Sequence, residues 1–307
     1  MTEQSRPVVP EPGVEQKGFE EVPAMQGAIM TIHVHDVPVE RMERREGWAI
    51  SEFRLPVSGA NGSATTAFQS IFRPGSTHAK HLHHHCDEIA VYLRGRGVVG
   101  QGDSRAEVGA GHCRLMPCGS EHFFFNETMA EDCIVIGFYL GAANVADSGY
   151  ECCGEVRASD LAMPRAGLDE GIHIRLQDVG PLDTSGFDAY SAADVRLPIG
   201  SHNDSANALI QTVIKPRGAL VDHRLDNSEQ IYFVIRGSGV ARSGTQRLPV
   251  RAGHFILVPK GTEFGLLNAD SGAPLELIGV LTGAGSLADA GYVGPGKASK
   301  EDSTCPS

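Results

Sequence analysis

The clearest stretch of hydrophobic patterning in the chain is Ile89 to Leu93, an unbroken apolar run of β-branched, aromatic and small residues. Its length and composition predict a strand buried on both faces. Glu88 opens this run, so the alternation of side chains along a strand sends Ala90 and Tyr92 to the same side as Glu88. Upstream, His81 and His83 flank Leu82 and leave one strand face together. Downstream, Pro117-Cys118-Gly119 is a turn signal that re-aims the backbone into a strand carrying His122. Short runs of this kind, set among 37 glycines and 17 prolines with 6% aromatics, predict many short strands and tight turns.

The pattern then repeats. Offset by 142 residues, Arg54-Leu55-Pro56 returns as Arg196-Leu197-Pro198, Arg94-Gly95 as Arg236-Gly237, Gly111-His112 as Gly253-His254, and Asn126 as Asn268. Gly141-Ala142 and Gly149-Tyr150 return as Gly283-Ala284 and Gly291-Tyr292. The chain is a tandem duplication. Positions that both copies keep are candidates for scaffold, and positions that one copy keeps are candidates for chemistry.

In the first copy, Gly75 is followed after five residues by His81-Leu82-His83, after four more by Glu88 and after six more by Gly95. Further on, Gly111 leads after five residues to Pro117-Cys118-Gly119, after two to His122 and after three to Asn126. Both strings resemble the paired motifs of the cupin superfamily at every fixed position. The resemblance covers residues 30 to 295 or so. It implies an all-β fold of two tandem cupin barrels, each a double-stranded β-helix or jelly roll. The expected division is an N-terminal arm over 1–26, a metal-binding cupin domain over 27–155, a linker over 156–171, a degenerate cupin domain over 172–293 and a tail over 294–307.

His81, His83, Glu88 and His122 form the expected metal-binding set. Three imidazoles and a carboxylate suit Fe(II), Mn(II), Ni(II), Cu(II) or Zn(II), whereas calcium or magnesium would call mostly for oxygen. His84 and His85 fall in the spacer between ligands and read as loop residues or as hydrogen-bond donors behind them.

The second copy tests this assignment. There His81 becomes His223, His83 becomes Leu225, Glu88 becomes Gln230 and His122 becomes Phe264. Glu229 does not restore the carboxylate, because it aligns with Asp87 and a one-residue slip on a strand points to the opposite face. One divalent ion per chain, held in the N-terminal barrel, is expected.

Other pocket candidates follow from the same alignment. Gln69 and Gln211 are equivalent and read as structural. Tyr92, Arg114 and Phe124 face Val234, Ile256 and Leu266 in the sister copy. Arg114 is either an edge residue that sends its head to water or a buried cation meeting an acidic substrate. Tyr92 can donate to a substrate oxygen, with packing as its ordinary role. Glu88, Tyr92 and Arg114 are therefore the catalytic candidates, Glu88 doubling as ligand and base.

A chain of 307 residues accommodates two cores of ordinary domain size. Its net charge of -12 disfavours nucleic acid and anionic membranes as partners, without excluding a small anionic substrate. The N-terminal residues lack an apolar signal core, and the uncharged stretch 133–146 is too short to span a bilayer. Seven cysteines form no spaced disulfide framework, which points to the cytoplasm. Leu161-Ala162-Met163-Pro164 reads as a short helical turn stopped by proline within the linker. A homodimer is a further possibility.

Cupin dioxygenases such as quercetinase resemble this arrangement of one complete and one degenerate site, and they imply Fe(II), dioxygen and a chelating organic substrate. The apolar neighbours Phe123, Phe124 and Phe125 fit a water-excluding wall for such chemistry. The alternative is Lewis-acid chemistry: a lyase, decarboxylase, isomerase or cyclase. Oxalate decarboxylase is the comparison there, and a poorer one, since both of its barrels carry ligand sets. A non-catalytic binding module is the third class, against which the complete ligand set argues.

Overall fold

Ile89 to Leu93 lies in the strand Asp87–Arg94, inside a six-stranded antiparallel sheet of the computed structural model. The spatial order is Ile172–Arg175, His112–Met116, Asp87–Arg94, Cys133–Leu140, Thr66–Phe72, Glu52–Val57. A second sheet faces it, ordered Tyr150–Gly154, Thr77–His83, His122–Phe125, Arg96–Gln101, Ser104–Gly109, with Trp48–Ala49 also paired to Thr77–His83. The second repeat builds the same two sheets. One runs Met30–His33, His254–Val258, Glu229–Arg236, Leu275–Thr282, Ala208–Ile214, Ala193–Ile199, and the other Gln246–Arg251, Ser238–Ser243, Phe264–Leu267, Ala219–Leu225, Tyr292–Val293. The structure describes residues 28–41, 48–102, 104–163 and 172–295. The expected arm over 1–26, the end of the linker and most of the tail lie outside them.

The strand Asp87–Arg94 is buried on both faces for two different reasons. Ile89 and Val91 join a core with Ile231, Phe233, Phe255, Ile278 and Val280 of the other repeat, so the two barrels pack back to back. Ala90 and Tyr92 point the other way, into a smaller cluster inside the first barrel. This two-sided burial is why the run is uniformly apolar.

The barrels also exchange edges. Met30–His33 of the first repeat pairs with His254–Val258 of the second, and Ile172–Arg175 of the second pairs with His112–Met116 of the first. Cutting the chain between 155 and 172 would leave each unit without its own outer strand. The short helix of the linker spans Ala158–Leu161, three residues before the turn expected at 161–164, and Pro164 lies outside the described residues.

Candidate metal centre

His81 and His83 lie on Thr77–His83, and His122 lies directly opposite His81 on the neighbouring strand. Glu88 comes from the facing sheet, on Asp87–Arg94. All four side chains are buried, and they offer one ligand atom each within 4.8 Å of one another.

Hydrogen bonds behind the rings fix their tautomers. His81 Nδ1 is 2.7 Å from Ala79 O and His122 Nδ1 is 2.8 Å from Ser120 O, carbonyls that can only accept. His83 Nδ1 is 2.9 Å from Ser148 Oγ, whose own proton goes to Val145 O at 2.6 Å. Each Nδ1 therefore carries a proton and each Nε2 faces the site, where its lone pair would meet an ion once one is bound.

The residues present fit a transition-metal ion. His81 Nε2 is buried without a hydrogen-bond partner. Glu88 Oε2 is 3.0 Å from His83 Nε2 and 3.2 Å from His122 Nε2. Two ligands at right angles around one ion, each about 2.1 Å from it, stand about 3.0 Å apart. Burial would raise the Glu88 carboxyl, but hydrogen bonds and charge from His122 and His83 outweigh it and hold the group well below the usual carboxylate range. Burial also lowers His81 well below the ordinary imidazole value, which keeps the ring neutral.

The sister barrel has the scaffold without the site. His223 keeps the equivalent bond, Nδ1 to Val221 O at 2.8 Å, but its Nε2 receives Tyr190 OH at 3.2 Å. Leu225 and Phe264 are fully buried, and Gln230 accepts a hydrogen bond from Tyr232 at 2.8 Å. Tyr190 aligns with Trp48 and went unnoticed in the sequence, because neither residue belongs to a motif.

Beside the four candidate ligands is a cavity of about 30 Å³, lined among others by His81, Glu88, Tyr92, Arg114 and His122. The larger depressions, up to about 460 Å³, are lined by none of the four. Alternation along the strand brings Tyr92 to the cavity, as expected; burial pushes its phenol up to about 12 despite the nearby Arg114 guanidinium. Arg114 is not an edge residue reaching for water. It is 1% exposed, sits across from Ala90, whose small side chain leaves room for it, and donates to Gln101 Oε1 at 3.0 Å. Its Nε has no partner.

Phe123 and Phe124 line the cavity and Phe125 does not. The Phe123 ring lies over Gly100, where a Cβ would collide with it. His84 and His85 are exposed, His84 bonded to Glu151 at 2.6 Å and His85 to Asp147 O at 3.1 Å. His78, by contrast, lines the cavity and is 9% exposed, with burial lowering its imidazole to about 3. Simple alternation hides it. A bulge pairs His81 with His122 but His78 with Phe124, and the extra residue turns position 78 inward. Gln69 is buried with Oε1 unpartnered, while Gln211 bonds Glu276 at 2.7 Å.

The cupin domain family matches residues 68–138 and 211–281. No curated protein sequence matches the chain. Among solved structures, the oxalate decarboxylase of Lactobacillus farciminis in complex with formate is similar, with a TM-score of 0.64 at 15% identity over 86% of this chain and 88% of that one. Oxalate decarboxylase from Bacillus subtilis at pH 4.6 gives a TM-score of 0.65 at 14% identity, over 87% of this chain and 78% of that one. Two matched cupin domains in tandem make the chain a bicupin, on a two-barrel fold that it shares with these structures over 86% and 87% of its length.

Proposed function

We propose that the protein is a metal-dependent enzyme acting on a small carboxylic acid without net oxidation, with decarboxylation the reaction that its site suits best. The observation that carries this reading is Arg114, a buried guanidinium lining the cavity that His81, Glu88 and His122 also line. Among the described residues its side-chain partners are neutral, Gln101 and the phenol of Tyr92, with no carboxylate at ion-pair distance. A buried cation without a counter-charge is costly, and a substrate carboxylate would supply the missing charge.

A bound divalent ion would supply a Lewis acid to a carboxylate or carbonyl oxygen of the substrate. Arg114 would hold and orient the carboxylate. Tyr92 stays protonated and would donate a hydrogen bond. Glu88, kept ionised by His83 and His122, would help to hold the ion, and Phe123 and Phe124 would exclude water. Decarboxylation leaves the electron pair of the broken C–C bond on the remaining carbon, so one proton is taken up for each CO2 released.

The likeness to oxalate decarboxylases supports this alternative over the dioxygenase reading. The ligand set accepts Mn(II) or Zn(II) as well as Fe(II), and redox-neutral chemistry removes the reason to favour iron.

The test is to strip the protein and reload it under argon with Mn(II), Zn(II) or Fe(II). CO2 release and dioxygen uptake are then followed with oxalate, glyoxylate and malonate. CO2 release without stoichiometric dioxygen consumption is expected. Dioxygen incorporated into the product would return the protein to the dioxygenase class.

A further inference from the structure

We propose that His78 is a substrate-contacting specificity residue, giving one hydrogen bond to a second oxygen-bearing end of the bound acid, and is not a fifth metal ligand. This rests on the reading of the substrate as a small carboxylate held by Arg114.

His78 is nine-tenths buried, lines the same cavity as Arg114, and its Nε2 has no hydrogen-bond partner in the protein. The ring is fixed by stacking on His81, with centroids 3.7 Å apart and planes at 24°, and by Trp48 at 4.4 Å and 33°. A buried polar atom held in place and left unpaired is costly unless a ligand meets it. Among the described residues, the cluster of possible metal-holding atoms closes on His81, His83, Glu88 and His122 and leaves His78 out.

The duplication separates packing from chemistry at this position. In the sister barrel His81 survives as His223, on a strand with the same bulge, whereas His78 has become Leu220. Packing beside that histidine therefore does not need an imidazole. Tyr92 and Arg114 have likewise become Val234 and Ile256 in the barrel that lost its ligands. His78 differs between the copies in the way that the two substrate-facing candidates do.

The test uses the Co(II)-loaded full-length protein, titrated with acetate and with oxalate and followed by its visible spectrum, in wild type, His78→Leu, His78→Gln and Arg114→Met. His78→Leu should weaken oxalate binding roughly ten- to a hundredfold while leaving acetate binding and cobalt content unchanged. His78→Gln, which can place an amide nitrogen near the imidazole Nε2 position, should recover most of the loss. Should His78→Leu not fold, His78→Asn, polar but too short, replaces it in the same comparison with His78→Gln. Equal weakening of both anions, no weakening of either, or loss of cobalt from a folded His78 variant would overturn the proposal. If Arg114→Met bound both anions as wild type does, the carboxylate reading itself would fail, whatever His78 did.

Discussion

His83 Nε2 stands 3.0 Å from Glu88 Oε2 while its other ring nitrogen donates to Ser148 Oγ at 2.9 Å. With Nδ1 already protonated, the contact to Glu88 is attractive only if a second proton or a metal ion lies at Nε2. The same holds for His122, whose Nδ1 donates to Ser120 O. Metal loading should therefore displace protons from the site. Calorimetric titration of the stripped protein with Mn(II) in two buffers of different ionisation enthalpy should give different apparent heats. Identical heats would mean that the metal-free rings hold no extra proton.

One tightly held divalent ion per chain is expected, because the second barrel keeps His223 alone of the four ligand positions and pairs it with Tyr190. Elemental analysis should find that ion lost in a His81→Ala, His122→Ala double variant and kept in His223→Ala. Two ions per chain in the wild type would contradict the assignment.

Tyr190→Phe removes the hydroxyl that satisfies His223 Nε2 inside the sister barrel. The buried nitrogen left behind should cost about 1–3 kcal/mol of stability. Denaturant unfolding measures the cost, and metal content should not change. A neutral outcome would show that water reaches the second site.

Arg114→Met keeps an unbranched stem and removes the charged guanidinium. A lost charge-assisted contact to a substrate carboxylate, worth about 2–4 kcal/mol, would lower kcat/KM roughly thirty- to a thousandfold. Arg114→Lys should fall between the two, as it keeps the charge and loses the planar fork. Unchanged kinetics in a metal-loaded Arg114→Met protein would remove the arginine from the site.

The stripped protein should be acid-labile in a defined direction. Burial lowers His78 from 6.5 to about 3 and His81 well below 6.5, so the folded state holds both rings neutral where the unfolded chain takes up protons. Their contribution to stability is full above about 6.5 and is lost progressively as pH falls from there toward about 3. Denaturation midpoints of the stripped protein, compared at neutral and mildly acidic pH, measure the effect. His78→Leu should flatten the dependence, and a midpoint that did not move with pH would refute it.

Much of this protein is written locally. Alternation along a strand was enough to put His81 beside His83 and Tyr92 beside Glu88, because the period of two is a property of the backbone. Duplication made the degenerate second site visible from Leu225, Gln230 and Phe264 alone. Other features depend on partners distant in the chain. The bulge that turns His78 inward arises from the pairing of Thr77–His83 with His122–Phe125, and its extra residue breaks the alternation that sequence reading relies on. Burial of Arg114 depends on Ala90 across the sheet, and the exchange of Met30–His33 and Ile172–Arg175 depends on how the two barrels pack back to back. Filling of the dead site by Tyr190 depends on the 3-10 turn Asp188–Tyr190 packing against the strand Ala219–Leu225. In each case the deciding contact joins residues whose separation in sequence carries no periodic signal, so tertiary packing alone selects it.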